Sequence, residues 1–149
     1  MTKVNNIQDI VANFVFKKGD YLGAEEQLSR FAESYAKLSA DEAESLRNKF
    51  QAKDRLGWLR IASTLFCKLF SDADTLHKDK LCKIFFALYS FENLDFGFDG
   101  VNDVISVSDK LKGHPELARK NWDLFSKLTS NGVARNNLEN KIFLCQQCL

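Results

Sequence analysis

Proline occurs once among the 149 residues of this chain, at position 115, and glycine occurs seven times. Proline is the strongest breaker of helices, because it lacks a backbone N–H and clashes with the preceding turn. β proteins of this length usually need more proline and glycine to form their turns. The scarcity of both residues therefore favours a helical chain over a β protein.

Apolar residues recur every three to four positions along most of the chain, which is the period of an amphipathic helix. The clearest boundary signal between the helices is the capping box Ser39-Ala40-Asp41-Glu42. Gly113-His114-Pro115 marks another boundary, with proline at the first helical position. We predict a single all-α domain over residues 1–149, with seven to eight short helices in an irregular bundle or a small HEAT- or armadillo-like stack.

The pattern of apolar residues also predicts where individual helices and one loop lie. The first helix is predicted over about residues 6–18, and a fourth over about residues 54–70. The fourth is apolar around most of its circumference, so we expect it to be the central and most buried helix. The segment 91–100 lacks a helical period and contains two glycines, which predicts a loop. After Gly132 a last helix is predicted to reach the C-terminus.

The composition is that of a globular protein, with 45% hydrophobic and 28% charged residues and a net charge of +1. A dedicated nucleic-acid binder is usually more basic. No apolar run approaches the ~18 residues needed to span a membrane, and the first residues lack the apolar region of a secretory signal. We therefore expect a cytoplasmic protein with no membrane partner, whose four cysteines are free thiols.

The sequence contains no phosphate-binding loop, dinucleotide-binding glycine pattern, nucleophile elbow or paired-histidine zinc helix. Its two histidines, His77 and His114, lie beside predicted helix caps, which favours a capping or solvated role over a pairing with Cys67 or Cys82 as nucleophile. Cys145-Gln146-Gln147-Cys148 lies at the tail of a predicted helix, where the dipole raises a thiol pKa. We predict that the chain is not an enzyme and holds no metal or cofactor.

Acidic and basic residues alternate in blocks, and between residues 92 and 109 there are five acids and no base. Phe91, Leu94, Phe96 and Phe98 lie among these acids. Loops tend to be exposed, and exposed aromatic residues with a charged rim are typical of protein-binding hot spots. The alternative is that the phenylalanines fold back onto the core. We predict that this acidic-aromatic segment binds a protein partner through Glu92, Asp95, Phe96, Phe98, Asp99 and Asp103.

Two helical phrases, Leu81-Cys82-Lys83-Ile84-Phe85 and Leu124-Phe125-Ser126-Lys127-Leu128, begin 43 residues apart, within the range of HEAT and armadillo repeats. Together with the acidic-aromatic segment, they resemble the all-helical, armadillo- or HEAT-like immunity proteins of bacterial contact-dependent toxin systems. The resemblance implies a non-catalytic inhibitor that binds a toxin one to one in the cytoplasm. Acidic surfaces with aromatic anchors suit a basic partner, such as a nuclease domain, because electrostatic steering speeds the encounter.

Two other functions stay open. A helical nucleic-acid-binding or regulatory protein could contact phosphates through two basic blocks, Arg47, Lys49, Lys53, Arg55 and Arg60, and Lys110, Lys112, Arg119 and Lys120. An enzyme of an unfamiliar all-α type would need a pocket that contains titratable residues with shifted pKa values.

Overall fold

The computed structural model describes residues 3–92 and 105–129, together with the single positions 132 and 136. Every regular element in these residues is a helix, which confirms the all-α fold. None of the helices within them is long and apolar enough to cross a membrane. Apart from position 136, which is helical, the predicted last helix lies outside the described residues, as does the Cys145–Cys148 pair. The helices are α1 Lys3–Ala12, α2 Tyr21–Tyr35, α3 Ala40–Arg47, α4 Ala52–Leu69, α5 Thr75–Glu92, α6 over residues 105–110, and α7 Pro115–Leu128.

Local signals fix where two of these helices begin. Ser39 Oγ accepts a hydrogen bond from the Glu42 amide at 3.2 Å, and the Glu42 carboxylate accepts one from the Ser39 amide at 3.0 Å. This reciprocal pair is the predicted capping box at the start of α3. Gly113 has a φ of 85°, in the left-handed region that favours glycine, and Pro115 follows as the first residue of α7. Both predicted boundaries are therefore confirmed.

Helix α1 ends well before the predicted residue 18. At its end, the Asp9 carbonyl accepts hydrogen bonds from both the backbone amide of Asn13, at 3.1 Å, and the Asn13 side chain, at 2.8 Å. The side-chain amide of Gln27, on α2, then clamps Val15: it accepts from the Val15 amide at 3.1 Å and donates to the Val15 carbonyl at 2.9 Å. The clamp holds the link between α1 and α2 and occupies the backbone groups that a longer helix would pair.

Helix α5, rather than α4, is the central helix. Every residue from Leu81 to Glu92 is buried except Lys83, and α5 packs against α2, α3, α4 and α7. The prediction that α4 is central is wrong, because apolar residues on its outer side, such as Trp58 and Ile61, are only half-buried and line the margin of the core. Contacts of α3 with both α1 and α7 favour a bundle over a linear stack, in which each repeat contacts only its neighbours.

Phe91, near the end of α5, lies at the centre of an aromatic cluster. It is fully buried, and its ring centroid is 5.1 to 5.9 Å from four others, those of Phe31, Tyr35, Phe50 and Trp58. Aromatic pairs at such distances stabilise a fold beyond the burial of their area. The prediction that a loop begins at Phe91 is wrong, and for this phenylalanine the alternative of packing onto the core is confirmed.

One buried arginine joins the ends of several helices. Arg47, the last residue of α3, is 3% exposed, and its Nη1 donates to Tyr35 Oη of α2 at 2.9 Å. The same atom donates to the Leu128 carbonyl of α7 at 2.8 Å and makes a longer contact of 3.5 Å with the Ser90 carbonyl of α5. Carbonyls in the last turn of a helix lack an intrahelical partner and lie at the negative end of its dipole. Arg47 therefore ties α3 to three neighbouring helices at one point.

Replacing Leu65 with alanine should lower the free energy of unfolding by roughly 2–5 kcal/mol, because this α4 side chain is fully buried and its removal leaves a cavity. Leu76→Ala is the matched control, since Leu76 is 83% exposed and its truncation should change stability by less than about 0.5 kcal/mol. Urea denaturation followed by circular dichroism measures both variants. Equal losses would contradict the assignment of Leu65 to the core.

Replacing Arg47 with methionine should lower the free energy of unfolding by about 2–3 kcal/mol, because methionine leaves buried helix-end carbonyls without a donor. Lys49→Met is the control, because Lys49 is an exposed base two positions further along the chain. The same denaturation experiment compares them. A gain in stability for Arg47→Met would mean that the cost of burying the guanidinium exceeds the value of its hydrogen bonds.

Candidate functional site

Of the six predicted partner-binding residues, the structure describes one, Glu92, and it is buried. Glu92 is the last residue of α5 and is 2% exposed. The prediction that it presents a carboxylate to a partner is wrong, because α5 continues into the segment predicted as a loop and carries this side chain into the protein. The other five residues lie outside the described part of the chain: Asp95, Phe96, Phe98, Asp99 and Asp103.

The buried carboxyl of Glu92 has an unusual environment. Neither of its oxygens has a hydrogen-bonding partner among the described residues. Burial raises the pKa of Glu92 to about 7, and the positive charge of Arg55 opposes that rise only in part. The charge of Glu92 therefore changes close to neutral pH.

The first basic block divides into structural residues and surface residues. Arg47 is buried at the helix ends, and Arg55 Nη1 donates to the Arg47 carbonyl at 2.8 Å, so Arg55 caps the C-terminal end of α3. Lys49, Lys53 and Arg60 are exposed. The prediction that the whole block can contact phosphates is wrong for Arg47, and the half-buried Arg55 is engaged in a structural contact.

A groove of about 740 Å³, here called the α2/α5/α7 groove, is the candidate binding site. Each of these three helices contributes one face to it, since its lining residues on a helix are three or four positions apart and therefore share a face. The groove could not be predicted from the sequence, since its residues come from three separate segments and none of the three faces is strongly apolar. The lining residues are Ser29, Ala32, Glu33, Ala36 and Lys37 from α2 and the turn after it, Leu76, Asp79, Lys80, Lys83 and Ile84 from α5, and Lys120, Asn121 and Leu124 from α7.

Asp79 holds two of the groove lysines in place. Its buried carboxylate lies 3.0 Å from Lys83 Nζ and 3.5 Å from Lys120 Nζ, and Asn121 Nδ2 donates to it at 3.3 Å. Partial burial alone would raise the pKa of Asp79, but the hydrogen bonds from Lys83 and Asn121 and the two lysine charges outweigh that effect and lower it. Asp79 therefore stays ionised and keeps α5 and α7 joined across the groove.

Glu25 on α2 positions a third lysine. This buried carboxylate lies 3.5 Å from Lys80 Nζ and forms a 2.6 Å hydrogen bond with His77 Nε2. His77 is therefore an ion-pair or hydrogen-bond partner between α2 and α5, rather than the capping or solvated residue that the sequence favoured. Its backbone amide in turn donates to Asp74 Oδ1 at 2.7 Å, at the start of α5.

The α2/α5/α7 groove combines positive charge with an exposed leucine. The described part of its lining includes four lysines and two acids, the acids being Glu33 and Asp79. Leu76, in the first turn of α5, is more exposed than any other large hydrophobic residue that the structure describes. The arrangement can bind a group that carries negative charge beside an apolar surface.

The pairing of Cys82 with a histidine as nucleophile and base finds no support in the geometry. Burial, with a contribution from the charge of Asp79, raises the pKa of Cys82 to about 12, so its thiol stays protonated. His114 packs edge-on against Phe70, with ring centroids 5.3 Å apart. Within residues 3–92 and 105–129, no group of His, Cys, Asp and Glu side chains could hold a metal ion.

No protein-family model, curated protein or solved structure matches this chain. The resemblance to immunity proteins stays a prediction from the sequence.

Replacing Glu92 with glutamine should stabilise the protein above neutral pH. The pKa of Glu92 is raised from 4.5 to about 7, so the folded protein keeps a proton that the unfolded chain releases earlier as pH rises. The free energy of unfolding should therefore fall between those two pH values, and Glu92→Gln should remove this fall. At about pH 8 we expect the variant to be more stable than the wild type by on the order of 1–3 kcal/mol.

Urea denaturation at several pH values measures the effect of this substitution. Glu26→Gln is the matched control, because Glu26 is an exposed carboxylate on α2 and should leave the pH profile unchanged. Identical pH profiles for the wild type and Glu92→Gln would contradict the raised pKa.

Proposed function

We propose that this chain is a non-catalytic protein-binding module that inhibits or recruits another protein. The observation that best supports it is Leu76, which is exposed to water at the edge of a groove lined by charged side chains. An apolar anchor inside a charged rim is typical of protein interfaces. Burying a leucine is worth roughly 1.5–3 kcal/mol, which a partner that covers Leu76 would gain.

Within this class we propose an immunity-type inhibitor that binds and neutralises a toxin domain. The support comes from the sequence: the repeated helical phrases, and the acidic-aromatic segment without Glu92, whose carboxyl is buried. The charge of that segment favours a basic partner, such as a nuclease domain. The proposed contact residues are Asp95, Phe96, Phe98, Asp99 and Asp103.

The alternative, a nucleic-acid-binding protein, has lost part of its basis. Arg47 and Arg55 of the first basic block bind helix-end carbonyls inside the bundle. Phosphate binding depends on cations that can exchange their counterions for the nucleic acid. The remaining bases are distributed over several helices, so the protein-binding proposal is favoured.

Replacing both Asp95 and Asp99 with lysine should abolish partner binding and leave folding intact, because the reversed charges would repel a basic partner. Tagged wild type and variant are purified from the native cells, and mass spectrometry gives the identity and stoichiometry of the partner. The matched control reverses two exposed acids elsewhere, with Glu44→Lys and Asp123→Lys in one chain. Thermal unfolding shows whether each variant folds.

The proposal predicts one stoichiometric basic protein that the wild type and the control retain and the folded Asp95→Lys, Asp99→Lys variant loses. Co-expression with the wild type should also suppress the toxicity of that protein. Full retention by the variant would exclude the acidic-aromatic segment as the interface. A wild type that elutes without any protein partner would contradict the protein-binding function, and co-eluting nucleic acid that salt removes would support the alternative.

A further inference from the structure

We infer that the α2/α5/α7 groove binds an acidic amphipathic helix of a partner protein. This inference rests on the proposed protein-binding function and specifies the chemistry of the segment that docks. An apolar side chain of that helix would cover Leu76, and its carboxylates would meet the groove lysines. The overall charge of the partner and the charge of one of its helices are separate properties, so a basic toxin domain can carry such a helix.

The groove lysines are fixed in position and still open to an incoming carboxylate. Lys80, Lys83 and Lys120 each pair with a buried acid, yet their side chains keep 45%, 54% and 63% of their surface exposed. An ammonium group has three donors, so one ion pair leaves donors free for a second acceptor. Lys37 adds a fourth cation on the α2 side. These charges line the opening of the groove and match acidic residues on one side of a helix.

The groove also has apolar lining residues. Leu76 projects at its edge, and Ala32, Ile84 and Leu124 contribute apolar lining from three different helices. Leu76, Lys80 and Lys83 follow a single face of α5, at the spacing of successive turns. A partner helix that alternates apolar and acidic residues at the same spacing would match both properties, as in other helix-in-groove complexes.

The same groove is a poor site for nucleic acid. Nucleic-acid grooves that lack sequence preference usually add aromatic side chains on which bases stack, whereas none of the described residues that line this groove is aromatic. An exposed leucine gains nothing from a phosphate but gains from an apolar side chain.

The test uses the full-length chain and a synthetic helical peptide that presents two leucines one turn apart between glutamates. Fluorescence anisotropy measures its affinity, and two-dimensional amide NMR locates the bound site. Two comparison probes are the same peptide with both leucines replaced by glutamine, and a single-stranded oligothymidylate. The test variants are Leu76→Asp and Lys37→Glu, both at exposed positions. The matched controls are Leu22→Asp and Lys49→Glu, at an exposed leucine and an exposed lysine that do not line the groove.

We expect the leucine peptide to bind and to shift amide signals of the groove helices. Each test variant should lower the affinity for this peptide about tenfold or more, as truncation of a central anchor does. The two controls should retain the wild-type affinity. Absence of groove shifts, equal binding of the peptide without leucines, or tighter binding of the oligothymidylate at the groove would each overturn the inference. None of these results would change the outcome of the partner purification, so failure of this inference and failure of the proposed function can be told apart.

Discussion

The bundle depends on how the C-terminal ends of its helices are satisfied inside the protein. The guanidinium of Arg47 binds the Leu128 carbonyl of α7 and reaches that of Ser90 on α5, Arg55 binds the carbonyl of Arg47, and Lys127 Nζ donates to the Ala36 carbonyl after α2 at 2.8 Å. Cations at these positions are favoured by both the unpaired carbonyls and the helix dipole. Arg47, Arg55 and Lys127 thus hold α2, α3, α5 and α7 in position through hydrogen bonds to the ends of these helices.

Helix α5 makes two kinds of contact with its neighbours: aromatic packing and ion pairs. Near its C-terminal end, the aromatic cluster around Phe91 excludes water and fixes α2 and α4 against it. Closer to its N-terminal end, buried carboxylates pair with lysines that reach the surface, as Asp79 does with Lys83. The aromatic cluster gives stability, because apolar burial dominates folding. The ion pairs belong to a charged groove whose walls are held by the same helix that forms the core.

The all-α class, the capping box at Ser39 and the start of α7 at Pro115 were predictable, because each depends on neighbouring residues. The central position of α5 was not, because the apolar surface of α4 and α5 looks similar until the packing of other helices decides which is covered. The burial of Glu92 and Arg47 was also not predicted, because the periodicity of apolar residues does not show whether a charged side chain lies inside the fold. The groove was not predicted, because its lining comes from three separate segments of the chain that only the fold brings together.

The ion pairs of the groove lysines have a consequence for the thermodynamics of binding. A free lysine on a surface samples many rotamers, and immobilising it on association costs about 0.5–1.5 kcal/mol. Lys80, Lys83 and Lys120 already pair with Glu25 and Asp79, so part of that entropy was lost when the chain folded. A ligand of the groove therefore meets a preorganised set of charges, and its affinity should depend more on release of solvent than on ordering of side chains.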